Sequence, residues 1–136
     1  METKELTPAA STSLMRQRKV LEAMDEIKNP LAPVNGNSRM FKLSDGRKVQ
    51  IRTARLTSIN KSYGSRQYSY EVWHVNLSGL LHGVTYLLVG LFNPTGTRLQ
   101  AIKGIKVKRD LKKHTAIVRH RLDVCDDLLY VRKGLL

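Results

Sequence analysis

A single cysteine, Cys125, stands in a chain of 136 residues. No internal disulfide can form, a cysteine zinc site is excluded, and a reducing compartment is the natural home for such a chain. Long apolar runs are missing too. The longest, Val84–Phe92, is interrupted by Thr85 and Gly90 and is far too short for a helix to cross a bilayer, so no membrane partner is expected. Glu2 and Glu5, with no apolar segment behind them, do not read as a signal peptide, and a cytoplasmic location is the expectation. Neither a glycine-rich phosphate loop nor a Gly-x-Ser-x-Gly nucleophile elbow is present. His74, His82, His114 and His120 lack metal-binding helix spacing, and Cys125 reads as a small buried residue rather than a nucleophile. Acids are the scarcest class: 11 Asp and Glu stand against 24 Lys and Arg, a net charge of +13. Uncompensated positive charge repels itself, and a folded protein that carries it usually meets a polyanion.

The charge is segregated. Residues 1–30 carry five basic and five acidic side chains, whereas Arg39–Arg66 carries eight basic residues against Asp45 alone. A second excess lies in Lys103–Lys133, with ten Lys and Arg against four acids. Within the first region, Lys48-Val49-Gln50-Ile51-Arg52 has the alternation of a strand. Its geometry predicts that Lys48, Gln50 and Arg52 share one face at a spacing of about 7 Å, while Val49 and Ile51 share the other. Lys42, Lys48, Gln50, Arg52 and Arg55 are therefore the first candidate phosphate-contact surface, on a face expected to meet solvent. Lys61, Tyr63 and Arg66, one aromatic between two cations, form a candidate groove or base contact in a loop. Lys103, Lys106, Lys108, Arg109, Lys112 and Lys113 make a second phosphate-contact cluster.

The length suits one domain. Met1–Ala10 is expected to be a disordered tail, followed by a single basic α+β domain over 11–136. Ser11 or Ser13 is expected to cap a helix running to about Lys28, with Leu14, Val20, Leu21, Met24 and Ile27 on its buried stripe and Pro30 ending it. Asn29–Ser38 reads as a loop. Next comes a hairpin around Ser44-Asp45-Gly46. A three-residue turn with Gly46 in the left-handed region pairs Leu43 with Arg47 and Phe41 with Val49, which puts Phe41, Leu43, Val49 and Ile51 on one face. Leu56–Ser65 reads as a polar loop and Arg66–Asn76 as a strand, with Tyr68, Tyr70 and His74 opposite Trp73. Aromatics on strands are more often core than stacking platform, and at most one of these faces is available for stacking. Ser78 is expected to cap one helical turn, Gly79–His82. Val84–Phe92, apolar on both faces, reads as a central strand. Asn93-Pro94-Thr95-Gly96 is a turn. Arg98–Val107 and Thr115–Leu122 read as a strand pair joined by a basic loop, and Asp123 as the cap of a C-terminal helix. The expected fold is thus α+β: an N-terminal helix, a mainly antiparallel sheet and a C-terminal helix.

The order helix, hairpin, Gln-x-Arg strand, strand, short turn of helix, apolar strand over Ser11–Asn93 resembles part of the PD-(D/E)XK restriction-endonuclease superfamily. The strand Val49-Gln50-Ile51-Arg52-Thr53-Ala54 is similar to the V-Q-V-K-T-A strand of some members. The resemblance implies that Gln50 stands at an acid or amide metal-ligand position, Arg52 at the lysine position, and Glu22 or Glu26 at the helical acid. Yet the hairpin strand Arg39–Leu43 contains no aspartate. Arginine remains protonated and cannot act as a base near neutral pH. The resemblance therefore implies a catalytically degenerate relative that grips DNA, and no catalytic residue is assigned outright.

The function expected from the sequence is nucleic-acid binding, DNA favoured over RNA, through phosphate contacts and without a cofactor; a homodimer is compatible with the sequence. Two alternatives follow from the same residues. One is a Mg²⁺-dependent endonuclease using Glu22 or Glu26 with Gln50 and Arg52. The other is an RNA- or ribosome-associated protein, or one that meets an acidic partner.

Overall fold

Val20, Ala23 and Met24 recur at helical spacing and form the buried stripe of α1 (Pro8–Glu26) in the computed structural model, which describes residues 8–107 and 114–136. The helix starts at Pro8, three residues before the expected serine caps; proline suits a first turn because its missing N–H would have no helical partner there. Residues 1–7 lie outside the described residues. Leu14 and Ile27 are exposed, so the apolar stripe is narrower than expected and belongs to the middle of the helix. At the C-terminus, Lys28 N–H donates to Asp25 O and Asn29 N–H to Met24 O, with Lys28 at φ 59°. That pair of bonds is a Schellman cap, with lysine at a left-handed position that usually holds glycine.

Among the described residues eight strands follow: β1 (Ala32–Val34), β2 (Asn37–Lys42), β3 (Lys48–Tyr63), β4 (Arg66–Asn76), β5 (Tyr86–Phe92), β6 (Leu99–Lys106), β7 (Thr115–Arg119) and β8 (Leu128–Val131). They run β1-β2-β3-β5-β6-β8, while β4 pairs with β3 and β7. All pairings are antiparallel except β3 with β5. The hairpin has the expected register: Phe41 faces Val49, Leu43 N–H donates to Arg47 O, and Gly46 has φ 92°. Phe41, Leu43 and Val49 lie in one buried cluster, with Ile51 packed against it. The turn at Asn93–Gly96 is also as expected, closed by Gly96 N–H to Asn93 O.

The strand β3 changes partners along its length. Val49–Arg55 pairs with β5 and Leu56–Tyr63 with β4, so the sheet curls and β4 and β7 fold over one of its faces. Two clusters result. Val20, Met24, Phe41, Val49, Tyr86, Leu88 and Phe92 pack between α1 and the sheet. Ala54, Leu56, Trp73, Val75, Leu87, Val89, Leu91 and Val118 pack inside the curl. Every residue of β5 is buried, each of its two faces supplying one cluster, which is why its sequence is apolar without alternation. Trp73 ties the layers together by donating its indole N–H to Phe92 O at 2.7 Å.

Several expectations fail, for reasons of strand pairing, packing or local turn geometry. Leu56–Ser65 is strand to Tyr63, and Gly64-Ser65 is a two-residue hairpin turn with Gly64 at φ 62°. Asn29–Ser38 contains β1, which pairs with β2 as an edge strand, the position where Pro33 is tolerated. Gly79–His82 is not helical. Asn76 Oδ1 accepts from Ser78 N–H and Gly79 has φ 66°, so side-chain and glycine geometry shape that segment. The strands β6 and β7 do not pair with each other: β6 lies between β5 and β8, and β7 lies on β4. The C-terminal helix is not formed. Leu122–Val124 is a 3₁₀ turn, and Leu128–Val131 pairs with β6 after Asp127 turns at φ 55°. No helix among the described residues is long and apolar enough to cross a membrane.

Candidate nucleic-acid interface

The pairing of β2 with β3 includes Phe41 with Val49 and Lys42 with Lys48. Towards its N-terminus β2 leaves that edge, and a notch of about 440 Å³ opens beside the middle of β3. Gln50, Ile51, Arg52 and Thr53 form its floor, Arg39 stands on the β2 side, and Ser13 and Gln17 reach it from α1. Asn76, Ser78 and Gly79 close the far side. Positions 13 and 17 are one helical turn apart, so α1 presents both from one face.

Inside the notch the chemistry is cationic. Arg52 Nη2 donates to Ser78 O at 2.8 Å and to Gly79 O at 3.2 Å. Its Nε is fully buried and, alone among the buried side-chain nitrogens and oxygens of the described residues, has no hydrogen-bond partner. Burial first, and the neighbouring Arg39 charge second, lower the Arg52 guanidinium from its ordinary value. Arginine nonetheless stays protonated, so the notch holds two like charges side by side. Gln50 is 6% exposed, and its Oε1 accepts from Leu81 N–H at 3.0 Å. The expectation that Gln50 and Arg52 face solvent is thus corrected. Their side of β3 is covered by the segment after β4, a consequence of the curl.

Among the described residues no carboxylate lines the notch. Glu22 and Glu26 are exposed on α1; Glu22 is about 140° and Glu26 about 180° around the helix from Gln17. They are not brought to Gln50, whose amide oxygen is already bonded to a backbone N–H. A hard divalent cation needs oxygen ligands, preferably carboxylate, and a site holding two guanidinium groups in their place does not fit Mg²⁺. No cluster of three metal-ligating side chains occurs among the described residues.

The remaining predicted residues divide into three places. Lys42 and Lys48 are exposed and directly opposite each other across the hairpin, an unfavourable like-charge pair in the absence of an anion. Lys106 is exposed at the same end of the sheet, opposite Tyr86, while Lys103 is half-buried on β6 opposite Val89. Lys108, Arg109, Lys112 and Lys113 lie outside the described residues. Arg55 joins neither group. Its aliphatic stem packs at Gly96, where Arg16 Nε also donates to Gly96 O at 3.1 Å and Lys19 Nζ donates to Thr97 O.

Lys61, Tyr63 and Arg66 sit near the end of the arm formed by the outer parts of β3 and β4. Tyr63 pairs with Arg66, Lys61 with Tyr68 and Ile59 with Tyr70, so these six side chains share one face. Tyr63, Tyr68 and Tyr70 are 64%, 47% and 41% exposed, whereas Trp73 is wholly buried. The core expectation for strand aromatics therefore holds for Trp73 and fails for the tyrosines. Sequence reasoning missed Arg39, Ser13 and Gln17 as members of the notch. The polar pair Ser13 and Gln17 at helical spacing, in line with the apolar stripe, is a signal that was overlooked; it marks those two residues and not Arg39. Comparison with protein-family models, curated proteins and solved structures gives no match.

Proposed function

We propose that this protein binds nucleic acid, DNA in preference to RNA, through phosphate contacts, and that it acts as a binding protein rather than a nuclease. The observation that carries this reading is the Arg39/Arg52 notch, lined among the described residues by amides, hydroxyls and guanidiniums without a carboxylate. Such a site favours an oxyanion over a metal ion. The exposed lysine pair at Lys42 and Lys48 extends the cationic surface along the same hairpin, and the net charge of +13 supplies long-range attraction to a polyanion. The resemblance to restriction endonucleases is supported by the order of elements: α1 packs on a hairpin whose second strand carries Gln50 and Arg52 and lies parallel to β5. The preference for DNA rests on that likeness.

The test is a gel-shift series on duplex DNA, single-stranded DNA and RNA at two salt concentrations, with and without Mg²⁺. DNA is expected to shift without Mg²⁺, more weakly at high salt, and to remain uncut. Cleavage that requires Mg²⁺ would restore the endonuclease alternative. Preference for structured RNA or for an acidic protein would transfer the function to the other one.

A further inference from the structure

We infer that the tyrosine face of the β3–β4 arm is a stacking platform for the bases of single-stranded nucleic acid, an inference that rests on the nucleic-acid reading above. From Thr57 outward, β4 is the only partner of β3 among the described residues, and from Arg66 to Glu71 every residue of β4 is exposed. A two-stranded ribbon gains little from a core of its own, so three large aromatic rings on its surface are not there to fill one. Their neighbours define the partner. Tyr63 and Tyr68 meet edge to face at 5.8 Å between ring centroids, and Lys61 and Arg66 stand directly opposite Tyr68 and Tyr63 across the ribbon. Rings offer π-faces that any base can stack on, and interleaved cations offer counter-charges for the backbone between bases. The opposite face of the ribbon carries Ser58, Asn60, Ser62, Gln67, Ser69 and Glu71, with neither cation nor ring.

Spacing favours an unpaired strand. Residues two apart on one strand, such as Tyr68 and Tyr70, are separated by about 7 Å, roughly twice the 3.4 Å rise per nucleotide of a stacked duplex strand. Only an unstacked, extended strand can present successive bases at that interval. A second copy of the chain is a poorer occupant, because it would bring Lys61 and Arg66 against like charges on a chain of net charge +13.

The experiment compares an oligothymidylate with an abasic strand of equal length and charge, each labelled for fluorescence anisotropy. The native protein is set beside a Tyr63→Ser/Tyr68→Ser/Tyr70→Ser variant, with thermal melting to confirm that both are folded. The native protein is expected to bind the oligothymidylate about tenfold or more tighter than the abasic strand. The variant should bind both strands alike, at the native protein's abasic level. Tyr→Phe replacements at the three positions should keep the base preference, since stacking needs the ring and not the hydroxyl. Equal affinity of the native protein for the two strands would overturn the stacking platform while leaving phosphate binding in place. Failure to bind either strand at low salt would remove the nucleic-acid reading and the platform with it. Self-association that the triple substitution abolishes, with no base preference, would assign the face to a second copy.

Discussion

The two halves of β3 are one continuous strand with opposite surroundings. Lys48–Arg55 lies between β2 and β5, and Val49, Gln50 and Ala54 are buried. Among the described residues Leu56–Tyr63 has β4 alone as partner, and beyond Leu56 only Ile59 is partly covered. The inner half is held by packing on both faces of a curled sheet. The outer half is held by its ladder, by β-favouring Thr57, Ile59, Tyr63, Tyr68 and Tyr70 facing one another across it, and by a glycine turn. A strand therefore need not mark a core here. Beyond Leu56 the outer half carries no core, and there Tyr63, with Tyr68 and Tyr70 beside it on β4, is presented to solvent.

The sharpest way to break this contrast is at the root of the arm. Trp73→Ala is expected to destabilise by about 3–5 kcal/mol in denaturant unfolding, because it empties a core position and leaves Phe92 O without its indole partner. Tyr68→Ala, on the opposite face of the same strand, is expected to cost under about 1 kcal/mol. Similar losses at the two positions would mean that the tyrosine face is packed. Arg52→Met comes next. Loss of the bonds to Ser78 O and Gly79 O is expected to cost about 1–3 kcal/mol. Amide exchange should accelerate at 77–81 and not along the arm, so acceleration at the arm would argue against independent halves.

The smallest effect concerns the two turns that bound β3. Asp45 Oδ1 accepts from Arg47 N–H at 2.9 Å. That bond first, then the Arg47 guanidinium, holds the exposed carboxyl below its ordinary value of 3.8. A carboxyl with a lowered folded value stabilises above the unfolded value, and the contribution is lost as pH falls through the folded one. The Ser44–Gly46 turn should therefore loosen as acid is taken below pH 3.8, visible in the NMR shifts of Arg47. The carboxylate-free Gly64-Ser65 turn should not follow it, and Asp45→Asn should remove the transition.

Legibility in the sequence follows the range of the forces involved. The hairpin register was readable because alternating Phe41, Leu43, Val49 and Ile51 and the glycine at 46 act locally. The central strand was readable because an apolar run without alternation requires two covered faces. Burial of Gln50 and the fixing of Arg52 were not readable, since they depend on β4 and β7 folding over the sheet from sequence-distant positions. The arm was hidden by its polarity, although Thr57, Ile59 and Tyr63 on alternate residues carried a strand signal. Leu128–Val131 resembles the stripe of a short helix, and only its docking on the β6 edge decides for strand.

Affinity for duplex DNA as a function of salt, measured by anisotropy without Mg²⁺, tests the central claim most directly. A protein held by phosphate contacts should lose affinity on a log–log line with a slope of about −0.9 for each phosphate neutralised. Lys42→Glu with Lys48→Glu should flatten that line across all DNA sequences while the protein stays folded, because both side chains are exposed. Salt-independent affinity, or no binding at low salt, would contradict the account.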